Sequence, residues 1–162
     1  MTKFLVCLVC ALLGGEALPV AQAASGVRPI QRRKDPRTDE DISQVTIKSA
    51  YLRLGVAFSC SKGKPLFLIV PIEGRFVGRV VRVDFRFEDR PIETFEFVTS
   101  QSGDGGYMYG SESEAMRDAM VTATVMRVRA DSSDGVLYDE FDLDGLDREL
   151  RELSCLAGPP AQ

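Results

Sequence analysis

Cys60 and Cys155 are the residues with the plainest chemistry in this 162-residue sequence. The other two of its four cysteines, Cys7 and Cys10, sit in an apolar N-terminal stretch with the layout of an export signal. Two thiols left in an oxidising compartment most simply form one disulfide. A zinc site lacks ligands, because the chain has no His to complete a set begun by two Cys. A catalytic thiol would lack its imidazole partner for the same reason.

The carboxylates offer less. Asp139, Glu140, Asp142, Asp144, Asp147 and Glu149 suggest a calcium loop. Aligning Gly145 with the invariant loop glycine brings Arg151 to the place of the bidentate Glu and Arg148 to the ninth position, and both repel a cation. The run reads instead as a strand face followed by a helix N-terminal turn that favours negative charge. Asp84 and Glu88 could imitate a glycosidase acid and base. They alternate with Arg82 and Arg86, the pattern of ion pairs on a solvated strand face. No Gly-x-Ser-x-Gly elbow occurs, and Gly103-Asp-Gly-Gly106 lacks the Lys-Ser/Thr of a phosphate loop. The expectation is a chain that is not an enzyme and needs neither cofactor nor metal. What remains is binding: Tyr107, Met108 and Tyr109 follow a glycine-rich stretch, and Tyr and Met are enriched where protein partners dock.

The organisation of the chain fits that picture. Lys3 and the apolar residues 4–13 precede the helix breakers Gly14, Gly15 and Pro19 and the triplet Ala21-Gln22-Ala23, so residues 1–23 read as a signal peptide cleaved after Ala23. Glu16 and Pro19 interrupt the run before it could anchor in a membrane, which leaves no transmembrane segment in the mature chain. The expected location is the periplasm or the exterior. Residues 24–43 are poor in apolar side chains and carry Arg32, Arg33, Lys34 and Arg37 followed by Asp39, Glu40 and Asp41, so they are expected to form a flexible arm. Residues 44–162 then make a single domain. With 44% hydrophobic residues that domain can fill one core. Lys and Arg number 20 against 24 Asp and Glu, a net charge of −4, which disfavours a nucleic-acid partner.

Within the domain the periodicity is mostly two. Leu52, Leu54, Val56, Phe58 and Cys60 share one strand face, and residues 66–70 form a continuous apolar run ended by Pro71. Val81, Val83, Phe85 and Phe87 alternate with charged residues, and Phe95 and Phe97 return after the turn at Pro91 as the second arm of a hairpin. Ser111 and Glu114 stand at capping-box spacing and predict a helix lined by Met116, Ala119, Met120 and Ala123. Strands over 125–129 and 136–143 follow, with Met126 and Val128 facing inward. A helix from about Gly145, capped by Asp144, presents Leu146, Leu150 and Leu153 and frays before Cys155, so that the disulfide pins its end to the sheet. The fold class expected is α+β, an antiparallel sheet or sandwich with two short helices and one disulfide.

The early Cys60, the segments Arg86-Phe-Glu-Asp-Arg-Pro91 and Thr94-Phe-Glu-Phe97, and the tail Phe141-Asp-Leu-Asp-Gly-Leu146 leading to Cys155 follow one another in a particular order. That order resembles the periplasmic accessory proteins associated with bacterial type VI secretion, over residues 52–155. By position Cys60 and Cys155 match that family's cysteines. Arg86 matches its Arg-x-Asp motif, with Glu88 in place of the Asp, while its tryptophan has no counterpart beyond Phe95. The resemblance implies a non-enzymatic protein of little-defined mechanism, and the sheet edge with the Tyr107 region gives the leading expectation, an envelope accessory or binding protein that recognises another protein. The alternative is a secreted inhibitor of a cell-wall enzyme, for which residues 100–110 would supply the inserting loop.

Overall fold

A computed structural model describes residues 26–156; the expected signal peptide and its cleavage site lie outside the described residues. Nine strands make one antiparallel sheet: β1 (Gly26–Val27), β2 (Gln44–Lys48), β3 (Leu54–Ser61), β4 (Lys64–Pro71), β5 (Val80–Phe87), β6 (Glu93–Thr99), β7 (Gly106–Tyr109), β8 (Val125–Ser132) and β9 (Gly135–Asp142). Their order across the sheet is β1-β2-β3-β4-β7-β6-β5-β8-β9. Helix α1 (Ser111–Val121) follows β7, and α2 (Leu146–Leu150) follows β9.

The fold is therefore mostly β, with 47% of the described residues in strand and 12% in helix, and this corrects the α+β expectation. The two helices never form a layer. Only Ser113, Met116 and Met120 of α1 are buried, and α2 has five residues. The capping box also fails to form: Gly110 occupies the cap, no side chain bonds the first turn, and the Glu114 N–H reaches the Gly110 carbonyl at 3.0 Å. Gly145 likewise replaces Asp144 at the start of α2, with φ 79°. Among the described residues no helix is long and apolar enough to cross a membrane.

Period-two patterning does most of the construction. Leu54, Val56, Phe58 and Cys60 of β3 point inward, as do Val81, Val83, Phe85 and Phe87 of β5. Leu52 does not join them; it precedes β3, is exposed and has φ 56°. In β4 Pro65, Leu66, Phe67 and Ile69 are buried, but Leu68 is only half-buried and Val70 faces outward and is exposed. The β5–β6 hairpin pairs Val81 with Phe97 and Val83 with Phe95. Phe58, Phe67, Phe85, Phe87, Phe97 and Phe141 are fully buried, and the Phe67 ring lies 4.7 Å from Phe58 and 6.0 Å from Phe97 between centroids. Side chains fill the interior, as in a small closed sheet.

The two ends of the sheet meet. Ser49, just after β2, bridges to Phe141 of β9, and the Ala50 N–H donates to the Glu140 carbonyl at 2.8 Å. Asp139 sits at this junction, fully buried. Its Oδ1 accepts from the N–H groups of Tyr51 and Glu140, both at 3.0 Å, and its Oδ2 from those of Arg53 at 2.8 Å and Leu54 at 2.9 Å. The carboxylate thus supplies acceptors to the backbone that turns from β2 into β3, where no strand partner could.

Residues 26–43 fold back on themselves through bridges from Gln31 to Gln44 and Lys34 to Asp41, while β1 pairs with β2. Val27 and Ile30 pack against the core, which gives the segment the apolar anchors its charged middle lacks. The Ile30 N–H donates to Glu149 at 3.0 Å, and Arg32 pairs with Glu152. Cys60 and Cys155 form the expected disulfide, with Cα atoms 5.7 Å apart. Beside it the Ser154 hydroxyl donates to Asp41 at 2.7 Å, so the N-terminal hairpin, the C-terminal tail and β3 are joined at one place.

Candidate partner-binding face

Strand β7 is four residues long and lies between β4 and β6. Its position depends on Gly106, where a Cβ would stand 3.0 Å from the Cβ of Phe97 and 3.1 Å from Ile69. Alternation then separates the three residues singled out by the sequence. Tyr107 and Tyr109 point outward, their rings stacked with centroids 6.5 Å apart and planes at 22°. Met108 points into the core and is 2% exposed, so it supports the strand from behind and cannot touch a partner.

The tyrosines do not stand alone. In register, Leu68 of β4 is opposite Tyr107, Tyr107 is opposite Val98 of β6, and Val98 is opposite Val80 of β5. This makes an apolar row across four strands on the outer face. Tyr109, Val98 and Val80 are 53%, 58% and 48% exposed. Val98 and Val80 were not foreseen as site residues. A signal for them exists: both occupy the outward phase of strands whose other outward residues are Thr94, Glu96, Arg82, Asp84 and Arg86. An apolar residue in that phase either guards an edge or meets a partner.

Residues 100–105 lead into the face as a compact turn, not a protruding loop. The Ser100 N–H donates to the Gly105 carbonyl at 2.9 Å, and the Phe76 N–H donates to the Gly103 carbonyl at 2.8 Å. Gly103 has φ 72°, and a Cβ there would come within 2.4 Å of the Phe76 carbonyl oxygen. Hydrogen bonds from the Ser100 and Ser102 hydroxyls hold the Asp104 carboxyl below the usual carboxylate range, so the turn beside the tyrosines carries a fixed negative charge.

The remaining candidate groups are engaged elsewhere. Asp84 accepts from the Thr94 hydroxyl at 2.7 Å and from Arg129 at 3.2 Å on the outer face. Glu88 lies in the turn after β5, where the Thr124 N–H and hydroxyl donate to it at 2.9 and 3.0 Å and hold it below its ordinary range. The two carboxylates therefore serve separate structural bonds. In the acidic run, Asp139 is the backbone clamp already described, Glu140 pairs with Arg127, and Asp147 pairs with Arg151. Among the described residues no three His, Cys, Asp or Glu side chains are grouped to hold a metal ion.

No protein-family model matches the chain, and no curated protein matches it. Among solved structures, the chain is similar to invasion associated protein B from Bartonella henselae, with a TM-score of 0.54 and 9% sequence identity, over 78% of this chain and 91% of that one. At that identity the likeness is one of fold.

Proposed function

We propose that this chain is an exported accessory protein of a bacterial envelope and that it acts by binding another protein, not by catalysis. The observation that carries the reading is the row from Leu68 through Tyr107 and Val98 to Val80, an outward apolar band in a sheet whose interior is already filled. Stacked tyrosines flanked by valines offer rigid apolar area with hydroxyl handles, the composition from which binding energy is most often drawn. The disulfide is in keeping with an oxidising compartment. The fold shared with a Bartonella protein named for invasion, and the resemblance of the cysteine and tail motifs to type VI secretion accessory proteins, favour a role at or outside the cell envelope.

Fractionation and affinity capture test this together. Intact-mass measurement of the envelope form should give residues 24–162 less two hydrogens, restored on reduction. A tagged protein should retain one stoichiometric envelope partner that the Tyr107→Ala/Tyr109→Ala variant loses while keeping its urea midpoint. Cytosolic recovery with free thiols, or identical capture by the variant, would overturn the proposal.

A further inference from the structure

The outer face of β5, β8 and β9 carries a second feature, on β5 beyond Val80 and on the two strands past it. Arg86 of β5 and Arg127 of β8 stand directly opposite each other in register. Like charges so placed oppose the pairing of their strands. The other outward arginines there are each matched: Arg82 with Glu96 at 3.0 Å, Arg127 with Glu140 at 2.8 Å and Arg129 with Asp84 at 3.2 Å. Arg86 has Asp89, 4.0 Å away and fully exposed, where water screens the pair. Arg86 thus has the weakest counter-ion of these arginines, and it stands opposite Arg127, which is paired with Glu140.

Arg86 and Arg127 line a depression of about 170 Å³, together with Asp84, Ile92, Arg129 and Tyr138. Ile92 is 64% exposed and Tyr138 is half-exposed, so both offer apolar surface to the lining. Both oxygens of Asp84 are already occupied, one by Thr94 and one by Arg129, so its carboxylate does not compete for Arg86. Cations opposed in register beside a hollow with apolar lining are a starting point for binding an anion.

We propose that this depression binds a carboxylate flanked by apolar side chains, presented by an extended acidic segment of a protein partner. The carboxylate sits between Arg86 and Arg127 and turns a repulsive pair into a bridged one, accepting the forked donors that guanidinium groups supply. The neighbouring apolar side chains cover Ile92 and Tyr138. A bare phosphate would leave those side chains in water, and a nucleic acid would need a run of cations that a chain of net charge −4 does not provide here. The site is independent of the tyrosine face and stands or falls without it.

The test is an NMR titration of the purified, isotope-labelled protein with three probes: acetyl-Leu-Glu-Leu-Glu-Leu-amide, its Gln-for-Glu counterpart, and inorganic phosphate. The expected result is saturable shifts at Arg86, Arg127, Ile92 and Tyr138 with the Glu peptide, at least tenfold weaker binding of the Gln peptide, and weakening with salt. Arg86→Gln should bind the Glu peptide at least tenfold more weakly while raising the urea midpoint, because it removes a repulsion. Equal binding of the two peptides, the same shifts at the same affinity with phosphate, unaltered binding by Arg86→Gln, or a lowered midpoint in that variant would each overturn the proposal.

Discussion

The carboxylate of Asp139 in β9 accepts the backbone N–H of Leu54 in β3 at 2.9 Å across 85 residues of sequence. Through this bond and its companions to Tyr51, Arg53 and Glu140, the last long strand holds the turn that begins the main run of the sheet. The contact joins the two ends of a nine-strand sheet by a side chain where strand pairing is limited to one bridge, at Ser49 and Phe141.

Asp139→Ala should therefore cost about 3 kcal/mol or more, because several buried donors lose their acceptor at about 1–3 kcal/mol each. Asp139→Asn keeps one acceptor oxygen and should cost less. Urea unfolding of both variants checks the order, and an Ala variant within about 0.5 kcal/mol of the parent would contradict the clamp.

The disulfide makes a separate contribution. Cys60 and Cys155 are 95 residues apart, and closing a loop of that size stabilises by at most about 4.7 kcal/mol in loop-entropy terms. The Cys60→Ser/Cys155→Ser double variant should lose about 2–4 kcal/mol in urea unfolding and keep its far-ultraviolet spectrum, since the Phe core is independent of the bridge. Loss of the sheet spectrum in native buffer would show that the bridge holds the fold itself.

Stability should also fall in acid. The Ser43 and Ser154 hydroxyls and the Ser43 N–H hold the Asp41 carboxyl below its ordinary range, and Glu88 and Asp104 are lowered by their own hydrogen bonds. A group lowered in the fold binds its proton more weakly there than in the unfolded chain. Its stabilising effect is complete above the ordinary carboxylate range near about pH 4 and is lost as pH falls through the lowered value. The urea midpoint should be flat from neutrality to about pH 5 and drop below about pH 4. Carbon-detected titration should place Asp41 closer to the ordinary range in Ser154→Ala. A midpoint that rises on acidification would contradict the assignment.

Much of the sheet was legible because alternation is a local signal. Phe85 and Phe87 among charged neighbours, and Met126 and Val128 further on, declare their inward face without reference to anything distant. The pairing of Cys60 with Cys155 followed from there being no other partner once Cys7 and Cys10 are assigned to the expected export signal. What alternation cannot show is which strands become neighbours. Placing β7 between β4 and β6, and closing β9 onto the segment after β2, depend on contacts dozens of residues apart. Asp139 accordingly read as one more acidic residue in a charged run. In residues 26–43, whose composition is otherwise that of a linker, the two apolar side chains Val27 and Ile30 pack against the core, a contact that composition does not announce. The helices were over-weighted because cap spacing at Ser111 and Glu114 states where a helix could start, not how much of the core it covers.

The outward row at β7 is the centre of this account, and site-specific photocrosslinking in cells addresses it most directly. A photoreactive residue in place of Tyr109 should give one adduct of defined mass in the envelope fraction, and the same residue in place of Lys48, exposed on β2, should give none. No adduct from position 109, or the same adducts from both positions, would contradict docking through the Tyr107–Tyr109 face.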